Sequence, residues 1–218
     1  MSIMLNGATY AIATVLSQAV AVEGIYNAAI GIASTDSTPE AGSVVILTSG
    51  WGALDEVPVR VGTVIEDVSF ALAGYNTSDT VFFPPGEGAG EYVVASGFVN
   101  LPKIHDIQKS GGEQNYATRQ YVSDPSGKQV QAPTFKSART RTYMLDYQPD
   151  KPHFDALLAL DKSQQITVLR ETLRNGDVIY YAGRASFDAD PTTALNEFIS
   201  NAFGFAPTAD SIRYPAAP

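Results

Sequence analysis

The stretch from Gln165 to Phe187, QITVLRETLRNGDVIYYAGRASF, decides how the fold is interpreted. Two runs rich in β-branched and aromatic residues flank Asn175-Gly176, a dipeptide that supplies the two positive φ angles of a type I′ turn. The stretch therefore predicts a β-hairpin with a two-residue loop, in which Arg174 faces Asp177. Because an exposed charged pair contributes only about 0.2–1 kcal/mol, the turn is expected to set the register.

One α-helix is predicted before this hairpin. Asp150 can act as the N-cap, Pro152 fits the first turn, and apolar residues follow at helical spacing, so the helix is expected to run from about Pro152 to Leu160. After the hairpin, residues 193–205 fit either a helix or a strand. Their Asn, Ser, Gly and Phe content favours a strand.

The segments before the helix have the pattern of long strands. Asn115 to Val122 is polar and aromatic, and the turn-forming cluster Ser123–Gly127 follows it. Val130 to Leu145 alternates with a period of two, which predicts one strand. Both faces of that strand mix polar and apolar residues, which suggests that one face meets solvent or another subunit.

The first part of the chain differs from the rest in its composition. Residues 20–88 are acidic, and their β-branched runs Val44–Leu47, Val57–Val61 and Val64–Ile65 are separated by glycines at intervals typical of a small all-β unit. Trp51 is expected to be a buried anchor of this unit. Residues 84–90 are predicted to be a loop or linker. We therefore predict a small acidic β-barrel module at 20–88, inserted into a core formed by 1–19 and 89–218.

Composition and charge exclude several classes of protein. The chain has 218 residues and no Cys, which rules out a disulfide scaffold and a thiol nucleophile, and its two His argue against a histidine-rich metal site. The net charge is −9, and all of the excess lies in residues 1–100, where ten acidic residues face one base. This balance argues against a surface that grips nucleic acid or adsorbs to an anionic membrane.

Three fragments with a catalytic appearance do not support an enzyme. Residues 86–90 resemble a phosphate-binding loop, but no Lys follows. His105 and Asp106 would point to opposite faces of a strand. Asp188-Ala189-Asp190 lacks the further oxygen ligands that calcium requires. The sequence therefore predicts no catalytic residue, no metal and no cofactor.

Two sets of motifs carry a resemblance to known proteins. In the second half of the chain, the motifs are Ser110–Gln114, Tyr121 and Pro133–Ala138, followed by the helix and the Asn175-Gly176 hairpin. In the first half, the motifs are Ala41–Trp51, Leu54, Val59–Val61 and Phe70–Gly74, which resemble a small β-barrel module that recurs in phage virion proteins. Taken together and in this order, the motifs resemble the major tail tube proteins of long, noncontractile-tailed bacteriophages.

The resemblance implies a mostly β fold, with a tail-tube β-sandwich or barrel core, one short helix and the inserted module. It implies a structural subunit of the virion tail, assembled in the host cytoplasm, whose hexameric rings stack into a hollow conduit for double-stranded DNA. The implied partners are copies of itself, the tail tip, the tail terminator and the tape measure protein, with neither specific DNA binding nor a membrane. A ring of six chains would carry −54, which suits a lining that DNA does not adhere to.

Contacts between rings or subunits are predicted in and beside the segment 115–133, whose polar and aromatic residues suit an interface that is soluble before assembly. The candidate residues are Asn115, Tyr116, Arg119, Tyr121, Asp124, Lys128, Phe135, Arg139 and Arg141. Arg139 and Arg141 are expected to form interstrand or intersubunit ion pairs. A plain surface hairpin is the alternative for this segment.

Two other functions fit a β-rich acidic chain of this kind. One is a different virion component, such as a tail terminator or a decoration protein. The other is a carbohydrate-binding β-sandwich that would use Tyr116, Tyr121 or Trp51 as a sugar platform.

Overall fold

The computed structural model describes residues 6–122, 125–193, 195 and 198–216. Strands make up 51% of the chain and helix 6%, so the predicted mostly β fold is confirmed. The strands are β1 (Thr9–Leu16), β2 (Val20–Val22), β3 (Gly24–Tyr26), β4 (Ile32–Ser34), β5 (Val44–Ser49), β6 (Val57–Ile65), β7 (Ser69–Leu72), β8 (Gly90–Leu101), β9 (Ile104–Ser110), β10 (Gln114–Gln120), β11 (Gln129–Lys136), β12 (Thr140–Asp146), β13 (Ile166–Thr172), β14 (Val178–Phe187), β15 (Ser200–Pro207) and β16 (Ile212–Tyr214). The helix is α1 (Pro152–Ser163).

Fourteen of the strands form one antiparallel sheet. Its order is β3-β4-β7-β6-β5-β8-β1-β13-β14-β15-β12-β9, with β16 added to β14 and β2 added to β8. The remaining two strands, β10 and β11, pair only with each other. Among the described residues, no helix has the length and apolarity needed to cross a membrane.

The buried residues form two large clusters and a smaller one. One large cluster lies between Val22 and Tyr92 and includes Trp51 and Phe70. The other combines β1, β12 to β15 and α1, with Tyr143 fully buried at its centre. The sheet continues from one cluster to the other, since β5 is hydrogen-bonded to β8 along its whole length.

Trp51 is the buried anchor that the sequence predicts. Its side chain is 1% exposed, and its indole N–H donates to the carbonyl of Pro84 over 2.8 Å. Its ring contacts that of Phe83 edge to face, with 5.2 Å between the centroids. The segment that precedes β8 is thereby held on the first cluster.

The predicted strand at Val44–Leu47 is confirmed as part of β5. The predicted runs Val57–Val61 and Val64–Ile65 form a single strand. β6 spans Val57–Ile65, so Gly62 lies inside it rather than between two strands. The register with β7 shifts between Val61 and Val64. A Cβ at Gly62 would lie 3.2 Å from the Cβ of Ala71, so the glycine permits a close approach of β7 at this irregularity.

The helix begins at Pro152 as predicted but ends at Ser163, three residues beyond the predicted end. The predicted cap is wrong, because Lys151 occupies the N-cap position without a side-chain cap. Gln164 adopts a left-handed conformation with φ of 52°, and its N–H donates to the carbonyl of Leu160 over 3.0 Å. This arrangement satisfies one of the last carbonyls and ends the helix.

The hairpin is confirmed, but its predicted two-residue loop is wrong. Thr172 lies opposite Val178, and Leu173 lies opposite Asp177, whose carbonyl accepts from the Leu173 N–H over 2.8 Å. Only Gly176 in the loop has a positive φ, at 87°. The loop therefore has three residues, with glycine in the left-handed position that such loops require.

An ion pair with Arg213, whose side chain is 61% exposed, holds Asp177 in this register. The Asp177 side chain is 4% exposed, and it accepts hydrogen bonds from the Arg213 guanidinium (Nε at 2.9 Å) and from the Ala216 N–H at 3.0 Å. The predicted Arg174–Asp177 cross-strand pair does not form. Asp177 is held by the C-terminal segment rather than by its hairpin partner.

The strand prediction for 193–205 is confirmed from Ser200 onward, in β15. Residues 193, 195, 198 and 199 are not part of a strand, and residues 194, 196 and 197 lie outside the described residues. β15 is central to the fold because it pairs with β14 on one side and β12 on the other.

Candidate assembly interface

The predicted single strand from Val130 to Leu145 is wrong, since the chain forms two strands in two different sheets. β12 pairs with β9 at the end of the large sheet, whereas β11 pairs with β10 outside it. The four strands form one long ribbon that bends where β9 gives way to β10 and β11 to β12. We call the outer part, residues 114–136, the arm.

Two consecutive glycines shape the bend. Gly111 and Gly112 have φ of 77° and 86°, and a Cβ at Gly111 would lie 1.8 Å from the carbonyl oxygen of Ala138. The Gly112 N–H donates to the Ser137 carbonyl over 3.1 Å, and the Ser137 N–H donates to the Glu113 carbonyl over 3.0 Å. Only glycine fits so close to the opposite backbone in this conformation.

A side-chain contact reinforces the bend. The Ser137 hydroxyl donates to the Glu113 carboxylate over 2.7 Å, and this hydrogen bond lowers the pKa of Glu113 below its ordinary value. The backbone and side-chain contacts together give the arm a defined direction relative to β9 and β12.

The two faces of the arm differ in chemistry. Ala117 lies opposite Ala132 and Arg119 lies opposite Val130, which defines an alanine face. The other face, the amide face, carries three cross-strand pairs: Tyr116 with Pro133, Thr118 with Gln131 and Gln120 with Gln129. Opposed residues of an antiparallel pair share a face, so this assignment follows from the register.

The arm is almost wholly exposed. All eight residues of β11 and six of the seven in β10 are exposed. They include large apolar side chains, with Tyr116 57% exposed and Phe135 69% exposed. Because an isolated two-stranded hairpin is only marginally stable, an arm with this much exposed apolar surface is suited to packing on a partner.

Most of the predicted interface residues lie together on or beside the arm. The Asn115 carbonyl accepts from the Thr134 hydroxyl over 3.0 Å, and the Arg119 guanidinium lies 5.2 Å from the centre of the Tyr121 ring. Tyr116, Tyr121, Lys128 and Phe135 are exposed. Asp124 lies outside the described residues. Their part in an interface stays a prediction.

Arg139 lies at the base of the arm and forms an ion pair with Asp210 of the same chain. Both residues lie outside the strands, so this pair is not the interstrand or intersubunit pair that the sequence predicts. A cleft of about 370 Å³ opens beside this pair. Its walls are the base of the arm, the loop after β15 and residues 52–57 at the start of β6. The base of the arm therefore adjoins the loop that precedes β6 in the same chain.

Arg141 is part of a polar cluster inside its own chain. Its guanidinium donates to the Tyr181 hydroxyl over 2.8 Å and lies 3.4 Å from Glu171 Oε2. The Glu171 carboxylate also accepts from the hydroxyls of Tyr10 over 2.9 Å and Tyr181 over 3.0 Å. The interstrand ion pair predicted for Arg141 is thus confirmed, and it links the base of the arm to β13.

The electrostatics of this cluster keep its tyrosines protonated. Burial raises the pKa of Tyr10 and of Tyr181 above the ordinary value, and the negative charge of Glu171 raises both further. Both hydroxyls therefore remain donors to the carboxylate. The sequence analysis missed this cluster, because nothing local in the sequence relates Tyr10 to Glu171, 161 residues away.

Nothing in the described part of the chain has the arrangement of a metal site, since no three His, Asp or Glu residues group together there. The exposed arm and its anchored base are the distinctive features. A model of the phage tail tube protein (TTP) family matches residues 49–216, which include the whole arm and the sheet beside it.

The chain belongs to the phage tail tube protein family. The family consists of structural proteins, so this tail tube protein is a component of the virion tail and not an enzyme, as predicted. No curated protein matches the sequence.

Three solved structures are similar to parts of this tail tube protein. The virion of a native gene transfer agent particle contains a chain with TM-score 0.39 and 9% identity, covering 54% of this chain and 88% of that one. The tail of an empty gene transfer agent particle with C6 symmetry gives TM-score 0.40 and 9% identity, covering 56% and 88%. The sheath/tube terminator of an extracellular contractile injection system in the extended state gives TM-score 0.37 and 16% identity. This match covers 53% of this chain and 86% of that one.

Proposed function

We propose that this tail tube protein closes into hexameric rings that stack into the hollow tube of a long, noncontractile tail, through which double-stranded DNA passes. The observation that carries the proposal is the arm, which is exposed on both faces and anchored at a glycine bend. Such an arm reaches beyond its own subunit, and it gives each ring a means of contacting the next.

Ring closure has support in the sheet. β9 is the terminal strand of the sheet, and among the described residues no strand pairs with its outer edge. An open edge of seven residues is a template for pairing with another chain. Pairing around a closed ring would satisfy every such edge and prevent uncontrolled aggregation.

The charges suit a channel that DNA does not adhere to. A hexamer would carry −54. Several arginines are already engaged: Arg139, Arg141 and Arg213 in ion pairs, and Arg60 and Arg170 over the rings of Tyr214 and Phe98. Cations held in this way are less available to neutralise DNA phosphates, which is the main source of nonspecific affinity.

The proposal includes the other partners that the tube requires. The two ends of the tube would contact the tail tip and the tail terminator, and the tape measure protein would occupy the bore before DNA does. Residues 20–88 would form a module distinct from the ring-forming core of residues 1–19 and 89–218. Among the described residues, thirteen of the fourteen buried in the first cluster lie between Val22 and Phe83, which supports this division.

Electron microscopy of the purified full chain tests the proposal. We expect long tubes from the wild-type protein and none from the double variant Tyr116→Ser/Phe135→Ser, whose circular dichroism and melting temperature should match the wild type. Val81→Ser is the matched control, because Val81 is 84% exposed and belongs to neither strand of the arm. Tubes from the double variant would rule out the arm as the ring-to-ring contact.

The same experiment separates the alternative functions. Single rings that never stack would favour a tail terminator, and monomers that bind preassembled capsids or tails would favour a decoration protein. The carbohydrate-binding hypothesis loses one of its platforms, since Trp51 is buried. Glycan binding by the monomer that is lost in Tyr116→Ala or Tyr121→Ala would support it over a tube.

A further inference from the structure

We propose that the arm of one copy packs its alanine face against an exposed sheet face formed by β3, β4, β7 and the end of β6 in the next copy. We call this second surface the outer face. The inference rests on the proposed stacking and adds the surface that receives the arm.

The outer face consists of two rows of cross-strand neighbours. Tyr26, Ile32 and Ala71 form one row, and Gly24, Ser34, Ser69 and Ile65 form the other. Tyr26 is 64% exposed, Ile65 is 60% exposed and Ile32 is 39% exposed. Apolar residues of this size usually face the core of a sheet, so their exposure marks a surface that packs on something.

The two faces share a pattern of small and large side chains. The outer face carries small residues, such as Ser69 and Ala71, beside large apolar ones. The alanine face likewise combines Ala117 and Ala132 with the larger Val130. Sheets pack face to face when small and large side chains interdigitate across the interface, and both faces offer that pattern.

The regions of the chain that carry the two surfaces have opposite charges. Residues 20–88 contain nine acidic residues and a single base, Arg60, whose guanidinium lies 4.3 Å from the centre of the Tyr214 ring. The arm contains three bases and one acid, and Arg119 belongs to its alanine face. Opposite charges of this kind steer the encounter of the surfaces and select against a wrong orientation.

Acidic residues also border the outer face directly. Glu66 and Asp67 follow Ile65 at the end of β6, and the Glu23 carboxylate accepts from the Ser34 hydroxyl over 3.5 Å. An arm that enters with Arg119 on its inner side would place that guanidinium within reach of these carboxylates. This favours the arm of a second copy over an acidic partner.

The positions of the arm and the outer face suit a contact that repeats from one copy to the next. The base of the arm adjoins residues 52–57, at the start of β6, in its own chain. Ile65 lies at the other end of that strand, about 26 Å away for eight residue steps. A surface at one end that binds a different surface at the other end is heterologous and generates a stack rather than a closed dimer.

Disulfide trapping tests the contact directly, because the natural chain has no cysteine. The double variant Ala132→Cys/Ser69→Cys should form intermolecular disulfides when its tubes are treated with a mild oxidant, giving a ladder of multimers on a nonreducing gel. The control Ala132→Cys/Val81→Cys should give no ladder beyond that of Ala132→Cys alone. The absence of a ladder in the first variant while tubes form would overturn the inference.

Complementation gives a second test. Ile65→Lys should block tube growth by placing a cation in the path of the basic arm, and Ala132→Glu should block it by placing an anion opposite the acidic face. When the two variants are mixed, the intact arm of Ile65→Lys should bind the intact outer face of Ala132→Glu. Sedimentation velocity should then show a single larger species, limited to one arm–face layer, that neither variant forms alone.

The outcomes distinguish this inference from the function on which it rests. If wild-type tubes form and the alanine-face variant Ala132→Glu does not assemble, but Ile65→Lys and Ile32→Lys assemble normally, the arm binds elsewhere and the inference is wrong. If the wild type itself forms no tubes, the proposed function fails and the inference fails with it. Melting temperatures of both lysine variants show whether a loss of tubes reflects misfolding.

Discussion

The guanidinium of Arg141 lies 3.4 Å from Glu171 Oε2, across the interior of the sheet from the second residue of β12 to the sixth residue of β13. The Glu171 side chain is 7% exposed and that of Arg141 is 20% exposed. Because β12 leads directly from the arm, this ion pair anchors the base of the arm to β13 in the core of the tail tube protein.

Loss of the Arg141 charge should destabilise the fold strongly. Arg141→Met leaves the Glu171 carboxylate buried without a cation, and we expect the free energy of unfolding to fall by about 3 kcal/mol. Urea denaturation of the unassembled protein measures the change. Adding Glu171→Gln to the same chain should recover part of the loss, because the uncompensated charge is then removed.

Arg139→Met is the matched control for that measurement. The Asp210 side chain is 84% exposed, so this pair is screened by water and its loss should cost about 0–1 kcal/mol. Equal losses from Arg139→Met and Arg141→Met would show that the interior cluster gives no additional stability.

The glycine bend should control the direction of the arm. Gly111→Ala places a Cβ 1.8 Å from the Ala138 carbonyl oxygen at a φ of 77°, so the backbone must move and the arm must reorient. We expect tube formation to be lost, with faster amide hydrogen exchange in β9 and β12. Mass spectrometry of exchanged peptides measures the second effect.

Gly127→Ala is the control that separates the effect of the steric clash at Gly111 from the effect of a strained, positive-φ backbone. Gly127 has a φ of 64°, but a Cβ there would meet nothing within 4 Å. Its cost should be only the strain of a left-handed alanine, about 1–2 kcal/mol and local to the arm. Exchange in β9 that rises as much in Gly127→Ala as in Gly111→Ala would contradict the role of the bend.

The elements that the sequence predicts well are those decided by nearby residues. β5 follows from a run of β-branched residues, and α1 begins at Pro152 because proline fits the first helical turn. The hairpin after α1 follows from Asn175-Gly176 between two strand-forming runs. In each case the residues that determine the element lie within it or next to it.

The features that the sequence did not predict depend on residues that are far apart in the chain. The register of the hairpin depends on Asp177, whose partners Arg213 and Ala216 lie 36 and 39 residues further along the chain. The break between β11 and β12 depends on Gly111, which lies opposite it between β9 and β10. The interface prediction rests on a polar and aromatic pattern that is local, whereas the outer face follows only from the pairing of β3, β4, β6 and β7.

Acid should weaken the fold through Asp177. Hydrogen bonds from Asn175, the Ala216 N–H and Arg213 lower the pKa of Asp177 below its ordinary value. The stabilisation is therefore fully present above the ordinary aspartate pKa of about 3.9 and is lost as the pH falls through the lower value in the folded state. Asp177→Asn should be less stable than the wild type at pH 6, and the difference should shrink toward pH 2.

Urea denaturation between pH 2 and 6, at concentrations where no tubes form, measures this prediction. Asp55→Asn is the control, because Asp55 is exposed in the loop before β6. A stability difference between Asp177→Asn and the wild type that stays constant over this range would contradict the assignment of the effect to Asp177.

A second loss of stability is expected near neutrality, and it depends on His153. Its side chain is buried near the start of α1, where burial and the positive charge of Lys151 lower its pKa. The unfolded chain takes up a proton near pH 6.5, whereas the folded chain resists it, so stability falls as the pH drops from 7 through 6.5 toward the folded value. His153→Gln should remove this pH dependence, whereas His105→Gln, at the other histidine, which is exposed, should retain it. Thermal melting at half-unit steps from pH 7.5 to 5 measures both variants, and a wild-type melting temperature that does not fall over this range would refute the prediction.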